Sequence, residues 1–185
     1  MSEYEKMLAG ELYDATCNDL YQKRIQCRKI LQKFNNLPAE NDNERKLILN
    51  ELTGQKLENV FIQPPFYCDY GINLNLGKNV FMNFNCTILD CAKVNIGDNT
   101  LMGPNVQIYT PMHPMNAQER ITWVEYAKEV TIGKNCWIAG NVTILAGVTI
   151  GDNVVIGAGS VVTKDIPSNS LAFGNPCKIH RKIEE

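Results

Sequence analysis

The sequence predicts a mainly β protein in which an α-helical segment, residues 1–57, precedes a coiled parallel sheet of hexapeptide repeats, residues 58–185. Three observations predict it. Aliphatic residues recur at a strict spacing of six through the back of the chain. That stretch is too rich in β-branched residues and glycine to be helical. The front instead places its apolar residues three and four apart, the period of a helix face.

The elements follow in order. A short helix covers Tyr4 to Leu8. The clearest helix is Asn18 to Phe34, where Leu20, Cys27, Ile30, Leu31 and Phe34 form an apolar stripe. Lys23, Arg24, Arg28, Lys29 and Lys33 cover much of the rest as a solvated face. A third helix starts near Asn41 with Glu44 as a capping partner, runs through Leu47, Ile48 and Leu52, and stops at Gly54. Alone these helices make a weak core, so they are expected to pack on the larger body and cover one of its ends.

Behind them, Ile132, Ile138, Ile144, Ile150, Ile156 and Val162 stand six apart. A second series, Cys136, Val142, Val148, Val154, Ser160 and Ile166, follows each by four. Residues 130–163 hold sixteen Val, Ile or Thr and six Gly in 34 positions, which opposes helix. Hairpins would show a period of two. A period of six fits short strands alternating with tight turns, one aliphatic per hexapeptide pointing inward and coils stacked about 4.8 Å apart. Leu76, Met82 and Ile88, then Ile96, Met102 and Ile108, extend the pattern forward. A two-residue slip between Val94 and Ile96 predicts a bulge or a shifted coil. The period does not specify the hand of the coil.

Composition narrows the function. Lys and Arg number 18 against 20 Asp and Glu, leaving no basic footprint for nucleic acid or an anionic membrane. No apolar run approaches the roughly 20 residues needed to span a bilayer. Met1 to Lys6 lacks the order of a secretory signal. Seven scattered cysteines without a C-x-x-C pair read as reduced thiols of a cytoplasmic protein. With His113 and His180 its only histidines, the chain poorly supplies a three-histidine metal site.

The repeat is interrupted at 109–130 by an excursion loop, and such departures from a regular scaffold are commonly functional. His113 sits near its start, between Pro111 and Pro114. A catalytic base and a loop histidine are both open readings of it, and an imidazole suits proton transfer near neutrality. Cys136 falls on an inward repeat position, and no activating base lies near Cys91 in sequence, so neither reads as a nucleophile.

The hexapeptides resemble those of the left-handed β-helix acyltransferases. Residues 5–13 (EKMLAGELY), 68–71 (CDYG), 83–85 (NFN), 108–114 (IYTPMHP), 130–133 (VTIG) and 174–177 (GNPC) are similar to the maltose and galactoside O-acetyltransferase group, over nearly the whole chain. The resemblance implies a left-handed coil and a homotrimer with active sites shared between neighbouring prisms. It also implies direct transfer of an acetyl group from acetyl-CoA to a sugar hydroxyl, without a metal.

By the same resemblance His113 is the general base, and Asn83 contacts the acceptor and helps stabilise the transition state. Asp69, Asn85, Arg24 and Tyr70 match acceptor-side positions. For Asn85 a purely structural place at a coil corner is an equal reading, and for Tyr70 core packing is. Trp137, Gly140, Ala158, Thr163, Lys164, Lys178 and Arg181 match positions that contact acetyl-CoA: small residues admit the pantetheine arm and cations pair with phosphates. Ala15 and Cys91 replace carboxylates of the galactoside branch, and Gly140 replaces a serine, so the sequence leans to the maltose branch. The competing readings are a hexapeptide acyltransferase for another acceptor (an amino sugar, an antibiotic or an amino acid) and a non-catalytic scaffold.

Overall fold

The computed structural model describes residues 1–184, and its body is a three-sided coil of short parallel strands. The first face stacks Phe61–Ile62, Phe81–Met82, Leu101–Met102, Trp137–Ile138, Val155–Ile156 and Ser170–Phe173, with Lys178–Lys182 added antiparallel. The second stacks Tyr67–Cys68, Thr87–Leu89, Gln107–Tyr109, Thr143–Ile144 and Val161–Val162. The third stacks Leu74–Leu76, Val94–Ile96, Val130–Ile132 and Thr149–Ile150. Thr131 lies beside Thr149 and Trp137 beside Val155, eighteen residues on, so three hexapeptides make one turn.

The six-spaced aliphatics therefore visit the three faces in rotation. Ile132, Ile138, Ile144, Ile150, Ile156 and Val162 are all buried along the axis, as is the series from Cys136 to Ile166. The polar member of that series, Ser160, is satisfied: its Oγ donates to Gly157 O and accepts from Gly174 N. Corners are turned by asparagines in the left-handed region, where a short amide side chain is tolerated. Their amides bond from turn to turn, as in Asn59–Asn79–Asn99–Asn135 at 2.9–3.1 Å. Neighbouring turns also need small residues, since a Cβ on Gly103 would lie 2.5 Å from Gly140 N.

Three helices pack on the early turns. Helix α1 (Glu3–Ala9) starts at a capping box between Ser2 and Glu5 and ends at Gly10 in the left-handed region. Helix α2 (Asn18–Asn36) begins at the expected residue, runs two residues further, and buries the expected stripe. Helix α3 (Asp42–Thr53) ends at Gly54 as expected. Asn41 makes no side-chain bond to the α3 backbone, however; its Nδ2 donates to Glu44 Oε2 at 3.2 Å. Helices α2 and α3 share one core with the first turns through Phe34, Leu49, Leu52, Phe66 and Leu74. The Asn35 amide clasps both Phe66 N and Phe66 O, at 2.9 and 3.0 Å. Helix α1 instead backs a second cluster, Met7, Tyr13, Leu20, Tyr70, Cys91, Ala92 and Ala127.

The period breaks at one corner, between the second and third faces. Inward residues Cys68 and Leu76 are eight apart rather than six, as are Ile88 and Ile96 one turn later. At the next turn the excursion separates Ile108 from Ile132. Three successive turns thus widen at the same place. The two-residue slip is one of these widenings, aligned with its neighbours. The excursion is more regular than the loop expected there. Pro111–Met112 and Val124–Ala127 pair antiparallel, Val124 and Glu125 pair with Asp14 and Tyr13, and α4 (Ala117–Arg120) lies between.

Candidate active site

The widened corner encloses a cavity of about 530 Å³. Its walls are Asp69 and Tyr70 from the first widening, Leu89 and Cys91 from the second, and Pro111, His113, Trp123 and Glu125 from the excursion. Ala15, Thr16, Tyr21, Arg24 and Arg28 close it from the helical side. Three stretches far apart in sequence meet here because each leaves the regular coil at the same corner, and the helical segment covers them.

Hydrogen bonds hold the wall. Asp90 is fully buried, and its Oδ1 accepts from Asp69 N and Tyr70 N at 2.9 and 2.8 Å. Thr110 Oγ1 accepts from Ala92 N at 2.9 Å and donates to Leu89 O at 2.7 Å, tying the excursion's start to the turn below. His113 follows three residues later with 48% of its side chain exposed, and its Nε2 stands 3.8 Å from Glu125 Oε1. Glu125 Oε2 accepts from Tyr13 OH at 2.7 Å. Arg24 donates to Tyr70 OH at 2.8 Å and to Ala15 O at 2.7 Å.

Burial sets the electrostatics of the wall. It pushes the Asp69 carboxyl up, opposed by a hydrogen bond from Cys91 and by the Arg24 charge. It pushes Asp90 up to about 6. The Cys91 thiol is driven far above its usual range by burial and by the Asp69 charge, 3.6 Å away. Cys91 is therefore a protonated wall residue, unsuited to nucleophilic attack. Tyr13 and Tyr70 are likewise held neutral, mainly by burial.

Of the residues singled out from sequence, Arg24, Asp69, Tyr70 and His113 converge on this cavity. Tyr70 does so as a buried residue whose hydroxyl supports Arg24, which favours its packing role over an open platform for a sugar ring. Asn83 and Asn85 stand at a different corner, between the first and second faces. Asn83 N donates to Met102 O, Gly103 N to Ile138 O and Ala139 N to Ile156 O, so Asn83 stands in a column that runs from Gln63 and continues through Gly103, Ala139 and Gly157. Asn85 is a left-handed corner residue, φ 61°, with its Nδ2 on Asn105 Oδ1 at 2.7 Å. Gly140 and Ala158 flank this same column. Trp137, 55% exposed, lies on the adjoining first face with Lys178 and Arg181 at its end. Thr163 and Lys164 follow the last strand of the second face and are exposed.

Sequence reasoning missed Trp123 and Glu125 as cavity residues, Tyr13 as the support of Glu125, and Asp90 as the anchor of the wall. Glu125 carried a weak signal, a strand-like stretch within the excursion, but nothing local links it to Tyr13, 112 residues away. Among the described residues no group of three or more His, Cys, Asp or Glu side chains is placed to hold a metal ion, and no helix is long and apolar enough to cross a membrane.

Known proteins resemble the chain at every level. Residues 6–55 match the maltose acetyltransferase hexapeptide capping motif, and residues 129–164 match the bacterial transferase hexapeptide repeats. Galactoside O-acetyltransferase of Escherichia coli K12 is 41% identical, over 98% of this chain and 89% of its own. The crystal structure of a maltose O-acetyltransferase from Clostridium difficile 630 superposes with a TM-score of 0.98 at 49% identity, over 100% of this chain and 99% of the other. A hexapeptide-repeat acetyltransferase of Vibrio cholerae, solved with acetyl coenzyme A, superposes at 0.92 and 37% identity over the whole of both chains. The coil is accordingly a left-handed parallel β-helix, and the chain belongs to the maltose and galactoside O-acetyltransferase family of hexapeptide-repeat acetyltransferases.

Proposed function

We propose that this acetyltransferase moves an acetyl group from acetyl-CoA to a hydroxyl of a maltose- or glucose-type sugar, with His113 as general base. The observation that carries the reading is the position of His113: it is the sole histidine on the cavity, at its rim, half exposed, facing the polar wall of Asp69, Glu125 and Arg24. A sugar hydroxyl is a poor nucleophile until its proton is removed. His113 takes that proton as the oxygen attacks the thioester carbonyl, giving a tetrahedral intermediate. The carbon–sulfur bond then breaks, and the imidazolium returns the proton to the leaving thiolate. Asp69 accepts hydrogen bonds from the acceptor, and Arg24, steadied by Tyr70 and Ala15 O, donates to it.

Acetyl-CoA lies along the column of small residues that passes Gly140 and Ala158, with Trp137, Thr163 and Lys164 beside it and Lys178 and Arg181 toward its phosphates. Asn83 and Asn85 stand at the foot of that column, at a different corner from His113, so one chain holds two half-sites. A homotrimer joins the His113 corner of one copy to the Asn83 column of the next. An unpartnered apolar column supports this: Phe61, Phe81, Leu101, Trp137, Val155 and Leu171 stand in register down the outside of the first face. The reading places the enzyme in the cytoplasm.

The test is thiol release from acetyl-CoA with glucose, maltose, galactosides, amino sugars and amino-group antibiotics, for wild type and His113→Ala. Release that needs a hexose and falls by about 10²–10⁴ in the variant, with acetyl-CoA binding preserved, supports the reading. Release with amines alone assigns a different acceptor, and full activity of His113→Ala removes the general base.

A further inference from the structure

A second cleft of about 480 Å³ adjoins the His113 cavity and shares Arg28, Asp69 and Leu89 with it. Its outer part lies between α2 and the second face of the coil, where Gln32 and Tyr67 line it but not the inner cavity. The two spaces form one groove with Asp69 at the junction.

The polar groups of this groove divide into two kinds. Asn35 is spent on Phe66, and the Asn36 amide donates to Gln32 O, so both serve the fold. The Arg28 guanidinium, the Gln32 side-chain amide and the Tyr67 hydroxyl have no hydrogen-bond partner among the described residues, and the Asp69 carboxylate accepts only from Cys91. Tyr67 is 48% exposed on the outward face of its strand, beside the cleft. An aromatic side chain beside a guanidinium, an amide and a carboxylate suits a pyranose ring, which offers C–H groups on its faces and hydroxyls around its edge.

Spacing adds a second argument. Arg24, Arg28 and Gln32 recur every fourth residue on α2, so they line one side of the groove at intervals of about 6 Å over a run of about 12 Å. That run matches two linked pyranose rings better than one. We propose that the groove is a two-ring acceptor site, in which the reacting sugar sits by His113 and the next ring of a disaccharide sits between Gln32 and Tyr67. The inference rests on the sugar O-acetyltransferase reading and deepens it: the preferred acceptor is at least a disaccharide, and α2 selects it.

The test compares glucose with maltose as acceptors under saturating acetyl-CoA, in wild type, Tyr67→Ala, Gln32→Ala and the groove-filling Gln32→Trp. Both positions are exposed or half-exposed, so the substitutions leave the core intact. Wild type is expected to show the lower KM for maltose. The ratio of maltose to glucose kcat/KM should fall on the order of tenfold in Tyr67→Ala and Gln32→Trp, carried by KM rather than kcat, and less in Gln32→Ala. A wild-type KM no lower for maltose, or a ratio that no substitution moves, overturns the outer ring site while leaving sugar acetylation standing. Wild type that releases thiol with neither sugar overturns the parent reading, and this one with it.

Discussion

Replacing Asp90 with asparagine is expected to flatten the pH dependence of stability between about pH 4 and 7. Asp90 is fully buried; its Oδ1 accepts from Asp69 N and Tyr70 N, and its Oδ2 has no partner among the described residues. Burial outweighs the hydrogen bonds and pushes the carboxyl up to about 6. A folded pKa above the unfolded one means the folded chain holds the proton more tightly. Its stabilisation is complete below the unfolded value, about 3.9, and is lost as pH rises through about 6. At ~1.4 kcal/mol per unit, a rise of about two units amounts to ~3 kcal/mol. Asparagine does not titrate, and its Oδ1 can keep both backbone donors. Its Nδ2 replaces the unpartnered oxygen at a constant cost of about 1–3 kcal/mol, independent of pH.

The informative quantity is therefore the change with pH in the difference between wild type and Asp90→Asn, from which that constant cost cancels. Thermal unfolding of both proteins from pH 4 to 8, at fixed protein concentration, measures it. For a chain of this size 1 kcal/mol moves Tm by about 2–4 °C, so the gap between the two should change by about 6–12 °C across the range, in favour of the variant at high pH. Parallel curves would refute the reasoning, showing that the Asp90 carboxyl does not titrate in that window.

The remaining predictions concern the wall and the small-residue column. Cys91→Ala should keep turnover in the wild-type range, and wild type should form no acetyl adduct on intact-mass analysis, because the thiol is buried and held protonated; loss of all activity would reinstate an acyl-enzyme. Gly103→Ala should destabilise by about 1–3 kcal/mol, since the added methyl would meet Gly140 N at 2.5 Å. Its acetyl-CoA affinity, measured by calorimetry, should fall with it if the cofactor follows that column.

The fold was legible because the hexapeptide is a local rule. One aliphatic per strand and one permissive residue per corner repeat so regularly that Ile132 through Val162 announce the coil without any knowledge of what they touch. The helix stripe of α2 was legible for the same reason, being a periodicity within nineteen residues. Asn41 shows where local reading fails: the residue types of a capping box were present, but the side chain bonded Glu44 instead of the helix backbone.

The site was legible only in part. His113 stood out as a histidine at the start of an interruption, and the slip before Ile96 marked a departure from the repeat, but neither pointed to the other. Each widening is invisible as a partner of the next until the coil stacks them, because residues about a turn apart become neighbours only through the parallel ladder.

What the sequence determined by itself was the coil's repeat and its helical front, since these follow from periodicity, and the candidacy of His113, since that follows from residue type and its place in the interruption. The tertiary structure decided where that chemistry is enclosed. Packing of the N-terminal segment on three superposed irregular corners brought Tyr13 to Glu125 and Arg24 to Tyr70, and burial at that junction, not sequence neighbourhood, raised Asp90 and silenced Cys91. Hydrogen bonding and desolvation act through space over a few ångströms, so they could be read only after the chain had been wound.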